Sequence, residues 1–76
     1  MTEPVPSSAP LSVSVNGAPR PLAAGTTLEA LVATLTTARS GVAAAVNETV
    51  VPRGRWGATA LADGDRVEVL TAVQGG

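Results

Sequence analysis

A helical period occurs once in this 76-residue chain, and that single occurrence limits the folds open to it. In GTTLEALVATLTT the apolar residues Leu28, Leu31, Val32 and Leu35 fall at i, i+3, i+4 and i+7 and make one stripe. Thr26 and Glu29, three apart, have the spacing of a capping box, and Ser40-Gly41 offers a release, so the pattern predicts a helix from about Thr27 to Thr37. A lone amphipathic helix must bury its stripe on something else, and the remaining segments read as strands.

In LSVSVNGAPRPL, Leu11, Val13 and Val15 alternate with Ser12 and Ser14, the period of a half-buried strand. Asn16-Gly17 follows, and both residues tolerate the positive φ of a type I′ hairpin turn. A second strand over Ala18 to Leu22 contains Pro19 and Pro21, which cannot donate to a ladder and so confine it to a sheet edge. VAAAVNETVVPR reads as a strand through Val42, Ala44 and Val46, a polar turn at Asn47-Glu48, and a short strand ending before Pro52. RGRWG is expected to be a loop. Asp63-Gly64-Asp65 makes a tight turn, and Val67 and Val69 alternate with Arg66 and Glu68 in a last strand. The order predicts an α+β fold of the β-grasp (ubiquitin-like) kind, a mixed sheet with one helix packed across it and the first and last strands side by side at its centre. The expected core is Leu11, Val13, Val15, Leu28, Leu31, Leu35, Val46, Leu61, Val67 and Val69.

Residues 1–10, with Pro4, Pro6 and Pro10, carry too little apolar surface to offset ordering entropy and are expected to be a disordered arm. The folded domain then spans residues 11–70, and residues 71–76 form a flexible tail ending in Gly-Gly. A domain this small buries only about 60% of its unfolded surface. The start lacks the basic and apolar regions of a secretory signal, and no stretch has the length of a membrane span, which leads to the expectation of a cytoplasmic protein without a membrane partner.

Composition narrows the chemistry. The chain has five Arg, no Lys, six acidic residues, a net charge of −1, one Trp and no Phe or Tyr. Nucleic acid is therefore not expected as a partner, because both the basic groove and the stacking surfaces are missing. The absence of Cys and His removes thiolate metal sites, an internal thiol nucleophile and the commonest general base. Asp63 and Asp65 lack the further spaced oxygen ligands of a calcium loop and read as turn formers, so no metal site is expected. Catalytic side chains are not expected either.

What remains is the tail. Residues 71–76 extend to roughly 20 Å, long enough to enter another protein's active site. Gln74 and Gly75 would thread a narrow channel, since glycine lacks the Cβ that would obstruct it, and Gly76 would present an uncrowded carboxylate. From Leu11 to Gly76 the sequence resembles the ThiS family of thiamine-biosynthesis sulfur carriers. The stretches that carry the resemblance are VNG, TLEALV, VAAAVNETVVPRGRW and LADGDRVEVLTAVQGG. It departs from the family in the arm before Leu11 and at Leu70, near which family members often carry Phe or Tyr.

The resemblance implies that a ubiquitin-activator-like adenylating enzyme uses ATP and Mg to convert the Gly76 carboxylate to an acyl-adenylate. A persulfide protein then supplies sulfur, and the resulting thiocarboxylate donates it to thiazole synthase. ATP and Mg are the activating enzyme's; no cofactor bound by this chain is expected. Arg53, Trp56 and Leu70 are the expected partner contacts, with Trp56 weighed as a core plug or loop anchor ahead of a contact. Other readings of the residues are a carrier for molybdopterin or cysteine synthesis, a protein modifier joined through Gly76, and an interaction module with an inert tail.

Overall fold

The computed structural model describes residues 10–38 and 40–71. Strands β1 (Leu11–Val15) and β2 (Ala18–Leu22) form the opening hairpin. Asn16 and Gly17 take φ of 51° and 87°, as a type I′ turn demands. With Val15 opposite Ala18 beside that turn, hydrogen-bonded pairs alternate with non-bonded ones, and Pro19 and Pro21 fall on the latter. Their missing N–H groups thus face the open edge, where nothing is lost, and they leave that edge a poor template for another strand.

After helix α1 (Leu28–Leu35) come β3 (Val42–Val46), β4 (Thr49–Val51), a 3-10 helix (Arg53–Ala58) and β5 (Arg66–Thr71). The sheet order is β2-β1-β5-β3-β4, with β1 and β5 parallel and the other pairs antiparallel. The first and last strands are thus neighbours at the centre, as the β-grasp order requires. Val67 and Val69 of β5 face the helix with Val13, Val15 and Ala44, and together with Leu28, Leu31, Val32, Trp56 and Leu61 they make the core. Leu11, Leu35 and Val46, expected within it, pack at its margin and are partly buried.

Two asparagine side chains hold β5 at points along its length. Asn47, in the β3–β4 turn at φ 51°, accepts the Arg66 N–H (3.0 Å) and donates to Asp65 Oδ1 (3.0 Å) at the start of β5. Asn16 accepts the Val69 N–H (2.9 Å) and donates to the Val69 carbonyl (3.1 Å) further along. The Asp63-Gly64-Asp65 turn forms as expected and also pins β1: Ser12 N–H donates to Asp63 Oδ1 (2.7 Å), and Gly64 N–H to the Ser12 carbonyl (2.7 Å). Asp65 Oδ2 accepts the Ala62 N–H (2.8 Å).

Four local expectations are corrected. The helix is capped by Thr27, whose Oγ1 accepts the Ala30 N–H (3.1 Å), and not by a Thr26–Glu29 box. The cause is tertiary: Leu28 N–H donates to the Thr59 carbonyl (2.8 Å) and Leu61 N–H to the Thr26 carbonyl (3.0 Å), so this bridge holds Thr27 extended and delays the helix by one residue. Glu29 instead lies over the 3-10 helix, where a Cβ on Gly57 would come within 2.7 Å of its Oε1.

The helix also ends early, at Leu35. Thr36 is extended (φ −155°) and its Oγ1 accepts the Ala38 N–H (3.0 Å), a local bond that competes with further helix. RGRWG is not a loop but lies within the 3-10 helix, started by Pro52 and turned so that Trp56 reaches the core. Pairing of β5 continues one residue past the expected domain edge, to Thr71 opposite Val42. The arm's residues 1–9 lie outside the described residues.

The cap assignment is tested by urea unfolding. Thr27→Ala is expected to cost about 1 kcal/mol, and Glu29→Ala about half of that or less, the loss of one negative charge in the first turn. A loss of about 1 kcal/mol for Glu29→Ala with almost none for Thr27→Ala would restore the capping box.

Candidate functional site

Strand alternation sets the outer face of the sheet. Because Val67 and Val69 point to the helix, Glu68 and Leu70 point away from it; on β4, Val51 turns inward and Val50 outward. Leu70 is 69% exposed and Val50 71%. With Ala43 and Ala45 between them, opposite Leu70 and Val50 in the β3 ladders, they line a shallow depression of about 310 Å³. Glu48 and Glu68 border it. Glu48 Oε2 accepts from Arg66 Nη2 at 3.3 Å with both side chains exposed, an ion pair that adds little to stability but occupies part of the rim.

Leu70 and the tail are continuous in sequence: β5, the sheet's central strand, runs to Thr71, and five residues lie between Leu70 and Gly76. Gln74, Gly75 and Gly76 lie outside the described residues. Among the described residues there is no group of three or more His, Cys, Asp or Glu that could hold a metal ion, and no helix is long and apolar enough to cross a membrane. Asp63 spends its carboxylate on the Ser12 N–H of β1, and Asp65 on the Ala62 N–H and the Asn47 amide of the β3–β4 turn.

Arg53 and Trp56 are brought together, on the opposite side of the sheet from Leu70. The guanidinium lies 5.1 Å from the Trp56 ring centroid, within cation–π range. Trp56 itself is only 3% exposed, and its Nε1–H donates to the Val51 carbonyl (2.8 Å) at the end of β4. The indole therefore offers a partner almost no surface, and its role is the core plug. The Arg53 head group is exposed beside it, at a depression between α1 and the 3-10 helix. Val50 escaped the reading of the sequence, although alternation within TVV, with Val51 inward, was the signal that could have found it.

Thermal unfolding separates the two members of this pair. Trp56→Phe keeps most of the buried surface but removes the indole bond to the Val51 carbonyl, which keeps the Ala44 N–H opposite it in the ladder, and is expected to cost about 1–1.5 kcal/mol. Arg53→Ala is expected to cost under about 1 kcal/mol. A Trp56→Phe variant as stable as the parent would remove the indole bond from the account.

Comparison with known proteins bears on the whole of this arrangement. The ThiS family profile matches residues 13–76. A thiazole synthase of Magnetococcus marinus is 41% identical over 66 residues; these are 87% of this chain and 20% of that protein, so the chain spans a fifth of its length. The sulfur carrier protein ThiS of Escherichia coli is 35% identical over 54 residues, covering 71% of this chain and 82% of that one. The crystal structure of the thiamine biosynthesis protein ThiS from Geobacter metallireducens matches with a TM-score of 0.71 at 32% identity, over 87% of this chain and all of that one. With the profile running through Gly75-Gly76 and the sheet order already in place, the chain belongs to the ThiS family.

Proposed function

We propose that this chain is the sulfur carrier of thiamine thiazole synthesis and that its cargo rides on Gly76. The observation that carries this reading is the family match through the terminal diglycine, joined to a β-grasp body whose central strand leads into that tail. The thiazole synthase relative supports the pathway, because one polypeptide there includes a segment like this chain.

The chemistry belongs to partners, and the chain is a co-substrate that is consumed and recharged. A Gly76 carboxylate oxygen attacks the α-phosphorus of ATP in an adenylating enzyme, pyrophosphate leaves, and an acyl-adenylate forms. Mg at that enzyme offsets the phosphate charge. The terminal sulfur of a persulfide then attacks the acyl carbon and AMP leaves. A second thiol cleaves the resulting S–S bond, becoming part of a disulfide and releasing the Gly76 thiocarboxylate, which passes its sulfur to thiazole synthase.

What this chain contributes is delivery. Gly75 and Gly76 have no side chain to obstruct a channel, and Gln74 leads them in. The outer-face patch of Leu70, Val50, Ala43 and Ala45 is the docking platform for the adenylating enzyme. It is the exposed apolar surface nearest the tail along the chain, and an enzyme that holds Gly76 six residues away must come close to it. The acidic rim of Glu48 and Glu68 favours a partner with basic residues around an apolar centre.

Intact mass after incubation with the adenylating enzyme, ATP, Mg and sulfide tests the cargo. Replacing one carboxylate oxygen by sulfur is expected to add about 16 Da, and deletion of Gly75-Gly76 to abolish the shift. No shift under conditions that charge the Escherichia coli carrier would end the proposal. For the platform, the Val50→Ser, Leu70→Ser double variant is expected to fold and to raise the KM for the carrier in adenylation by about tenfold. An unchanged KM would place the contact elsewhere.

A further inference from the structure

Among the described residues, β5 beyond Val67 has a neighbouring strand on one side only. β3 follows it to Thr71, whereas β1 is in register with Arg66 and Val67 alone and then turns away at Asn16. The Asn16 residue continues what β1 leaves off. Its main-chain N–H donates to the Val67 carbonyl (2.9 Å), and its carboxamide then takes both main-chain groups of Val69, accepting the N–H at 2.9 Å and donating to the carbonyl at 3.1 Å. A carboxamide carries the same donor and acceptor as a peptide group, so one side chain adds a rung to the ladder without adding a strand. Val69 precedes Gly76 by seven residues.

We propose that Asn16 is a positioning residue for sulfur loading: by holding the Val69 backbone on the side that lacks a strand, it sets the direction in which the chain leaves the sheet toward Gly76. A strand end paired on one edge alone opens readily. Its ordering then falls on the docking step, whereas a base held beforehand spares the partner that loss. The turn does not account for the asparagine, since glycine accepts the same positive φ without strain and would make no contact with Val69. Asn47 provides the comparison within the same molecule. It has the same φ and also binds β5 through its carboxamide, but at Arg66, ten residues before Gly76 and away from the tail.

The role in loading rests on the sulfur-carrier reading; the clamp on Val69 does not, and the two are separated by measuring both in the full chain. Asn16→Gly keeps the turn and removes the clamp, and Asn47→Gly does the same at the other site. Amide hydrogen exchange is read at Val69 relative to Leu31 in α1, and KM and kcat for the carrier are read by mass in the adenylating enzyme assay with ATP, Mg and sulfide.

Asn16→Gly is expected to speed Val69 exchange by at least about tenfold. It should also raise KM about threefold to tenfold with kcat within about twofold, since the bound tail is aligned by the partner. Asn47→Gly is expected to change neither. Should Asn16→Gly fail to fold, Asn16→Asp sets a carboxylate oxygen against the Val69 carbonyl and is expected to move both readings the same way. Unchanged Val69 exchange overturns the clamp, and faster exchange with an unchanged KM overturns the positioning role. A parent chain that takes up no sulfur overturns the carrier reading and with it the role in loading, while the exchange rates still decide the clamp.

Discussion

Strand β5 is the member that makes one sheet out of two hairpins. β1 and β2 pair with each other, as do β3 and β4, and the two pairs meet only through β5 between them. It must therefore satisfy backbone groups on both flanks while its Val67 and Val69 side chains fill the centre of the core. The β1 flank is too short for that. Asn16 completes it, and Asn47 does the corresponding work where β5 begins. Both asparagines come from hairpin turns, so the residues that reverse the outer strands also tie them to the central one.

This arrangement suits the proposed role, in which Gly76 carries the cargo. Among the described residues no polar side-chain atom is buried without a partner, and the buried residues are all apolar. Leu28 and Leu31 are fully enclosed between helix and sheet, and Trp56 closes the side where β4 is short. On the other face the alternation that drives Val67 and Val69 inward drives Leu70 outward beside Val50. The core and the proposed platform are two sides of one strand register, and a slip of one residue would exchange them.

Much of this was legible because it is local. Period-two spacing in LSVSV and RVEVL, the positive-φ turns at Asn16-Gly17 and Asn47-Glu48, and the prolines of β2 each specify a conformation within a few residues. The Leu28–Leu35 stripe likewise named its buried face. Where the reading missed, distant chain decided: the bridge from Thr27 to Ala60 moved the cap by one residue, and burial of Trp56 wound RGRWG into a 3-10 helix. Of the residues read as partner contacts, Leu70 is exposed on the outer face beside Val50, which the reading passed over, while Trp56 lies inside.

By itself, then, the sequence determined the elements and their order, since propensity, periodicity and turn chemistry act between near neighbours. Tertiary structure alone decided which side chains would serve β5. The hydrogen bonds of Asn16 to Val69 and of Asn47 to Arg66 span 53 and 19 residues. In the linear chain both asparagines read only as turn formers, because a carboxamide's partner is whichever backbone the fold carries past it.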